Sequence, residues 1–174
     1  MRTLIFLTML IFLCWATIIA AADQQIIQSK ANVKFTQNPE LDIFEITIKG
    51  NSEDDYVITY RILTHSGKEL YSYSTKYSKV ELDIPEDMKQ IQEEMNDRVK
   101  KRCDDKSGAL PSWSEIKSGK TAVEYKVKVS KSDYNLLRSK NLPMCAHNVE
   151  YEGLKFIVYD SAKKKARVVA ETYW

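Results

Sequence analysis

"DIFEITIKGNSEDDYVITYRILTHSGKELYSYSTKYS", residues 42–78, alternates apolar and polar side chains through three runs separated by two polar turns. Phe44, Ile46 and Ile48 fall on one side of the first run, and Tyr56, Ile58, Tyr60 and Ile62 on one side of the second. Period-two alternation puts every second side chain on one face, the pattern of a half-buried strand. The turn "GNSEDD" joins the first two runs. "THSGKE", 64–69, places Ser-Gly where a tight hairpin needs it, so 56–63 should pair antiparallel with 69–77. In the third run Tyr71, Tyr73 and Tyr77 share the face that should pack inward, opposite Ser72, Ser74, Lys76 and Ser78.

Downstream of this meander, Val80, Leu82 and Ile84 suggest a further short strand. Pro85, Glu86 and Asp87 then supply a helix start: proline suits the first turn, and carboxylates suit the positive end of the helix dipole. Met88, Ile91, Met95, Val99 and Cys103 follow at spacings that form one stripe, which predicts a helix over about 86–102 with Cys103 at its core-facing end. "DDKSGALPSW", 104–113, lacks periodicity and is expected to be a loop. "TAVEYKVKV", 121–129, returns to strand. Ser130 and Asp133 stand at capping-box spacing before a short helix over about 131–139. The chain closes with two strands around the charged tip "KKKAR", 163–167. About seven strands and two helices, with several strands joined by hairpins, predict an α+β fold with a mainly antiparallel sheet. A pure sandwich is the alternative, with the helix as an inserted crossover.

Upstream, residues 1–22 carry one charge, Arg2, an apolar run from Leu4 to Ile19, and small residues at Ala20 and Ala22. These are the parts of a signal peptide cut before Asp23, so 23–174 should be a single exported domain, periplasmic or secreted. Left uncut, the same run would serve as a membrane anchor. Membrane contact is otherwise not expected. The 26 basic and 24 acidic residues nearly cancel, against the strong basic excess of a nucleic-acid-binding domain.

Cys14 lies within the leader, leaving Cys103 and Cys145. In an oxidising compartment such a pair is expected to form a disulfide, closing a loop of about 42 residues and stabilising the fold by roughly 4 kcal/mol.

Catalytic material is scarce. The two histidines, His65 and His147, fall short of a zinc set, so no metal is expected. Cys145 paired to Cys103 cannot serve as a thiol nucleophile with His147 as base. The acidic pairs Asp54-Asp55, Glu93-Glu94 and Asp104-Asp105 look solvated, and no glycine-rich phosphate loop or G-x-S-x-G turn occurs. The expectation is a non-enzymatic chain without cofactors that binds another exported protein through a loop on a rigid scaffold. Two loops are candidates: "DDKSGALPSWSEIKSGK", 104–120, which carries Trp113, and "KNLPMCAHNVEYEG", 140–153, which Cys145 would pin and in which Pro143, Met144, His147 and Asn148 are the binding candidates. Trp113 is either a core plug or an exposed anchor. The second reading is an envelope carrier or scaffold whose Tyr and Val faces enclose an apolar ligand.

Leu110-Pro111-Ser112-Trp113, a strand, Tyr134, then Cys145-Ala146-His147-Asn148 and a hairpin resemble the order of elements in the periplasmic inhibitors of vertebrate-type lysozyme. The resemblance covers about residues 110–170. It implies that a disulfide-closed loop carries His147 into the cleft of a wall-directed hydrolase, with Asn148 beside it. In that family both cysteines flank the histidine closely, whereas here Cys103 lies far upstream.

Overall fold

The structure, a computed structural model, describes residues 25–50, 55–78, 88–149 and 153–173. The leader 1–22, the strand expected at 80–84 and the helix-start residues 85–87 lie outside them. The described residues form nine strands in two antiparallel sheets, with three α-helices. The first sheet holds β1 (Gln25–Val33), β2 (Asp42–Gly50), β3 (Asp55–Leu63) and β4 (Glu69–Ser78) in chain order. Helix α1 (Met88–Lys101) follows. The second sheet is built from β5 (Asp105–Lys106), β6 (Glu124–Val127), β7 (Pro143–Asn148), β8 (Gly153–Asp160) and β9 (Lys165–Tyr173), in the spatial order β5-β7-β8-β9-β6. Two short helices, α2 (Trp113–Lys117) and α3 (Lys131–Ser139), precede β6 and β7.

The alternating runs form strands at the expected register. Ile46 lies opposite Tyr60 and Tyr60 opposite Tyr73, so the inward residues of β2, β3 and β4 make one continuous apolar face. The reverse face carries Lys30, Glu45, Arg61 and Glu69. Glu45 is itself buried there, held by Lys30 at 2.9 Å and Arg61 at 3.3 Å. One wet face and one dry face is the usual economy of an antiparallel sheet.

Two further elements cover the dry face. Helix α1 lies along β1, where Ser29 Oγ donates to Asn96 Oδ1 at 2.6 Å and Val99 is fully buried. Arg98, Lys100 and Lys101 close its last turn, where cations meet the negative end of the dipole. The second sheet supplies Cys145 and Ile157, and Tyr159 meets Phe35 edge to face at 6.2 Å. The second sheet's other face, with Met144, Phe156, Val158 and Val169, is covered by α2 and α3 through Tyr134, Leu137 and Trp113. The layers therefore run sheet, sheet, helices, with α1 beside the second sheet.

Several expectations are corrected. Nine strands stand where about seven were expected. The polar-looking start, "QIIQSKANV", is strand β1, and 143–148 is not a loop but strand β7. The aperiodic stretch from 104 holds β5 and a 3-10 turn over Ser107–Ala109, and α2 begins at Trp113. Ser112 caps α2 by accepting from the Glu115 backbone N–H at 3.3 Å, while Glu115 accepts from the Ser112 N–H at 2.6 Å, a full capping box. Helix α3 starts where its cap predicts, with Ser130 Oγ accepting from the Asp133 N–H at 3.1 Å. Asp133 turns its carboxylate to Arg167 and Lys163 instead of closing the box. The α+β class with antiparallel sheets holds.

The loop between β1 and β2 is shaped by one buried carboxylate. Asp42 Oδ2 accepts from the Phe35 N–H at 3.3 Å, the Thr36 N–H at 2.7 Å and Thr36 Oγ1 at 2.8 Å, and Gln37 takes the left-handed conformation at φ 67°. Replacing this acceptor strands three donors. Asp42→Ala is expected to lower stability by about 2 kcal/mol or more in urea unfolding, and to loosen the amides of 35–37 in hydrogen exchange.

Candidate functional site

Strand β7 is buried on both faces. Met144 and Ala146 point toward the helices, Cys145 and His147 toward the first sheet. Cys145 is joined to Cys103, S–S 2.04 Å, tying the end of α1 to the middle of the second sheet. A backbone bond from Ala146 N–H to the Arg102 carbonyl at 2.7 Å runs beside it.

The imidazole of His147 is fully buried and stacks on Tyr60 at 4.4 Å and on Tyr73 at 4.9 Å between ring centroids. Its Nδ1 lies 2.8 Å from the Asn148 carbonyl oxygen, which can only accept, so Nδ1 carries the proton. Nε2 then accepts from the Tyr71 hydroxyl at 2.7 Å. Burial pushes this imidazole down to about 4. Lys155 and Arg102 add to the fall, while the Asn148 hydrogen bond and Glu171 oppose it. Burial likewise pushes the Tyr60 phenol up to about 12. The surrounding cations are themselves engaged: Lys155 Nζ sits 3.6 Å over the Tyr73 ring and 3.5 Å from Glu171, and Arg102 Nη2 donates to Asn148 Oδ1 at 2.5 Å. These contacts make a neutral plug between two sheets. They leave no room at the ring for a substrate or partner.

The sequence candidates therefore do not converge. His147 and Met144 are interior residues, and Asn148 braces Arg102 and His147. Trp113 is half-buried against Tyr134, rings 6.0 Å apart, with Lys117 over its face. Of the five, Pro143 alone lines the surface groove described next, together with Cys103.

That groove, about 390 Å3, opens beside the disulfide. One wall is residues 32–34, the end of β1 and the residue after it, with Leu41 from the loop; the other is residues 104–106 with Pro143; Lys100 and Cys103 form its head. Leu41 is 39% exposed, one of two large apolar side chains left open among the described residues. Sequence reading reached only one wall of this surface, 104–106 and Pro143 in its two candidate loops, and missed 32–34 and Leu41. The missed wall's one local signal is Leu41, an apolar residue after an Asn-Pro turn and out of step with Phe44, Ile46 and Ile48. Among the described residues, no group of His, Cys, Asp and Glu is arranged to hold a metal ion, and no helix is long and apolar enough to cross a membrane. Compared with protein families, curated proteins and solved structures, the chain matches none.

Two outcomes follow from this geometry. The unfolded chain binds a proton at His147 from about pH 6.5 downward, while the folded chain resists it until about pH 4. Stability should thus be full above pH 6.5, fall by about 3 kcal/mol as pH drops to about 4, and lose nothing more to this group below that. Urea midpoints across that range should show the slope in the native chain and a flatter profile in His147→Gln. Replacing both cysteines, Cys103→Ala with Cys145→Ala, should cost roughly 4 kcal/mol, read in the same assay against the untreated and the reduced native chain.

Proposed function

We propose that this chain is an exported, non-enzymatic domain that binds another exported protein, and that it does so at the groove beside the disulfide. A disulfide is compatible with an oxidising compartment, periplasmic or secreted, of the kind the export reading of residues 1–22 calls for. The observation that carries the proposal is the groove itself. An open apolar side chain and unneutralised charges lie on a surface fixed by a covalent tie and by the Asp42 loop. A fixed surface binds without a large ordering cost.

The most concrete partner is a wall-directed hydrolase, the partner implied by the sequence's resemblance to inhibitors of vertebrate-type lysozyme. In this reading the contact is not made by His147, whose ring is interior, but by the groove rim at Lys34, Leu41 and Lys106. The carrier reading draws less support, since the Tyr and Val faces that would enclose an apolar ligand are packed on one another in the two cores.

The purified chain from Asp23 onward should slow the clearing of a cell-wall suspension by the target hydrolase with one-to-one stoichiometry. Lys34→Glu with Lys106→Glu should weaken this at least tenfold, and Leu41→Asp should act in the same direction. Unchanged hydrolysis at large excess across wall-directed hydrolases, with no stoichiometric complex among exported proteins of the same compartment, would overturn the reading.

A further inference from the structure

The walls of the groove have a common form. Residues 32, 33 and 34 line it consecutively on one side, and 104, 105 and 106 consecutively on the other. Asn32 and Val33 close β1, and Asp105 and Lys106 make up β5, so each wall runs from a strand into the residue beside it. Because side chains alternate between faces along a strand, neighbouring strand residues that both line one groove do so along the strand's edge. Among the described residues both strands are edges: β1 is the outermost strand of the first sheet, and β5 of the second. Helix α1 covers the upstream part of β1, where Asn96 meets Ser29, and the groove opens where the helix ends, at Lys100.

Resting on the protein-binding reading above, we infer that the groove receives an extended segment of the partner, which adds as a strand against the open edges of β1 and β5. Edge strands present unpaired N–H and C=O groups, and an extended chain is the ligand that satisfies a row of them. Here two edges face one space, so a single segment would bridge the two sheets. The side chains set its chemistry. Lys34, Lys100 and Lys106 outnumber Asp104 and Asp105 on the rim. Among the described residues Lys34, Lys106, Asp104 and Asp105 enter no ion pair, and Lys100 has only Asp97 at 3.8 Å, both exposed. Leu41, Val33 and Pro143 offer the apolar floor. The matching segment alternates apolar side chains with carboxylates.

The test uses the intact exported chain, labelled for amide NMR, and a blocked hexapeptide of alternating valine and glutamate. Saturable shifts centred on 32–34 and 104–106, with a Kd below about 1 mM, are expected. The same peptide N-methylated at alternate nitrogens, the lysine analogue of the peptide, and the Lys34→Glu, Lys106→Glu double variant should each bind at least tenfold more weakly. Equal binding of the N-methylated peptide, shifts centred elsewhere, or no saturation would overturn the inference. A hydrolase complex that tolerates the double variant without loss would overturn it too, leaving standing that the chain binds a protein but not that it does so at the groove. Peptide binding at the edges with no natural partner would uphold the groove and sink the hydrolase reading.

Discussion

The first sheet has one dry face, and among the described residues after 78 helix α1 and the second sheet are arranged around the need to cover it. Meander strands β1 to β4 bring together Phe44, Ile46, Ile48, Ile58, Tyr60 and Ile62, a surface too apolar to face water. One helix cannot span four strands, so α1 covers the β1 side and the second sheet covers the rest. The disulfide and the His147 plug sit where these two covers meet. The disulfide fixes the distance between helix and sheet. The imidazole fills a space bounded by tyrosine hydroxyls and rings, where an aliphatic side chain would leave the Tyr71 hydroxyl without its acceptor.

This explains which parts of the fold are legible in the sequence. Strands β2, β3 and β4 have one wet and one dry face, so their alternation is strong. The 88–103 stripe and the Ser130 cap are equally local signals, and the cysteine pairing follows from compartment and count. Strand β7 is different. Its Met144 and Ala146 face one core while Cys145 and His147 face the other, so burial on both sides erases the polar half of the period. Pro143 at its start also reads as a break, although proline is tolerated at the first residue of a strand. Strand β1 hides for another reason: Gln28 and Lys30 point to the wet face and Ser29 bonds to Asn96 on the dry one, leaving few apolar markers.

The candidate site was less legible than the fold. Cys145 and His147 stand two apart and suggest a chemical pair, but on a strand that spacing only puts both on one face, here the inner one. The groove is assembled from 32–34, 41, 100–106 and 143, segments that no linear motif connects. Its lysines and aspartates are indistinguishable in the sequence from other surface charges. What marks Lys34, Lys106, Asp104 and Asp105 is the absence of ion-pair partners among the described residues, which only three-dimensional placement reveals. The Ser112-to-Glu115 capping box around Trp113 goes unread within a stretch expected to be loop, although its spacing is a local signal.

The side chain with the greatest chemical range, His147, is held neutral and in one tautomer by groups that fix the junction of the sheets. A group so used contributes to specificity of packing, and its depressed proton affinity is a cost of that placement rather than a poised acid or base. Chemistry by a titrating side chain requires access, and here access and titratable character are separated: the imidazole and Tyr60 are inside, while the groove offers lysines, aspartates, backbone edges and one leucine. Lysine and aspartate ends, main-chain edges and a small apolar floor recognise shape and charge along an extended chain. The groove's position explains why it can be rigid and open at once. It lies where α1 has ended and before the second sheet reaches the first, at the one place where the disulfide holds the layers together and their edges still face water.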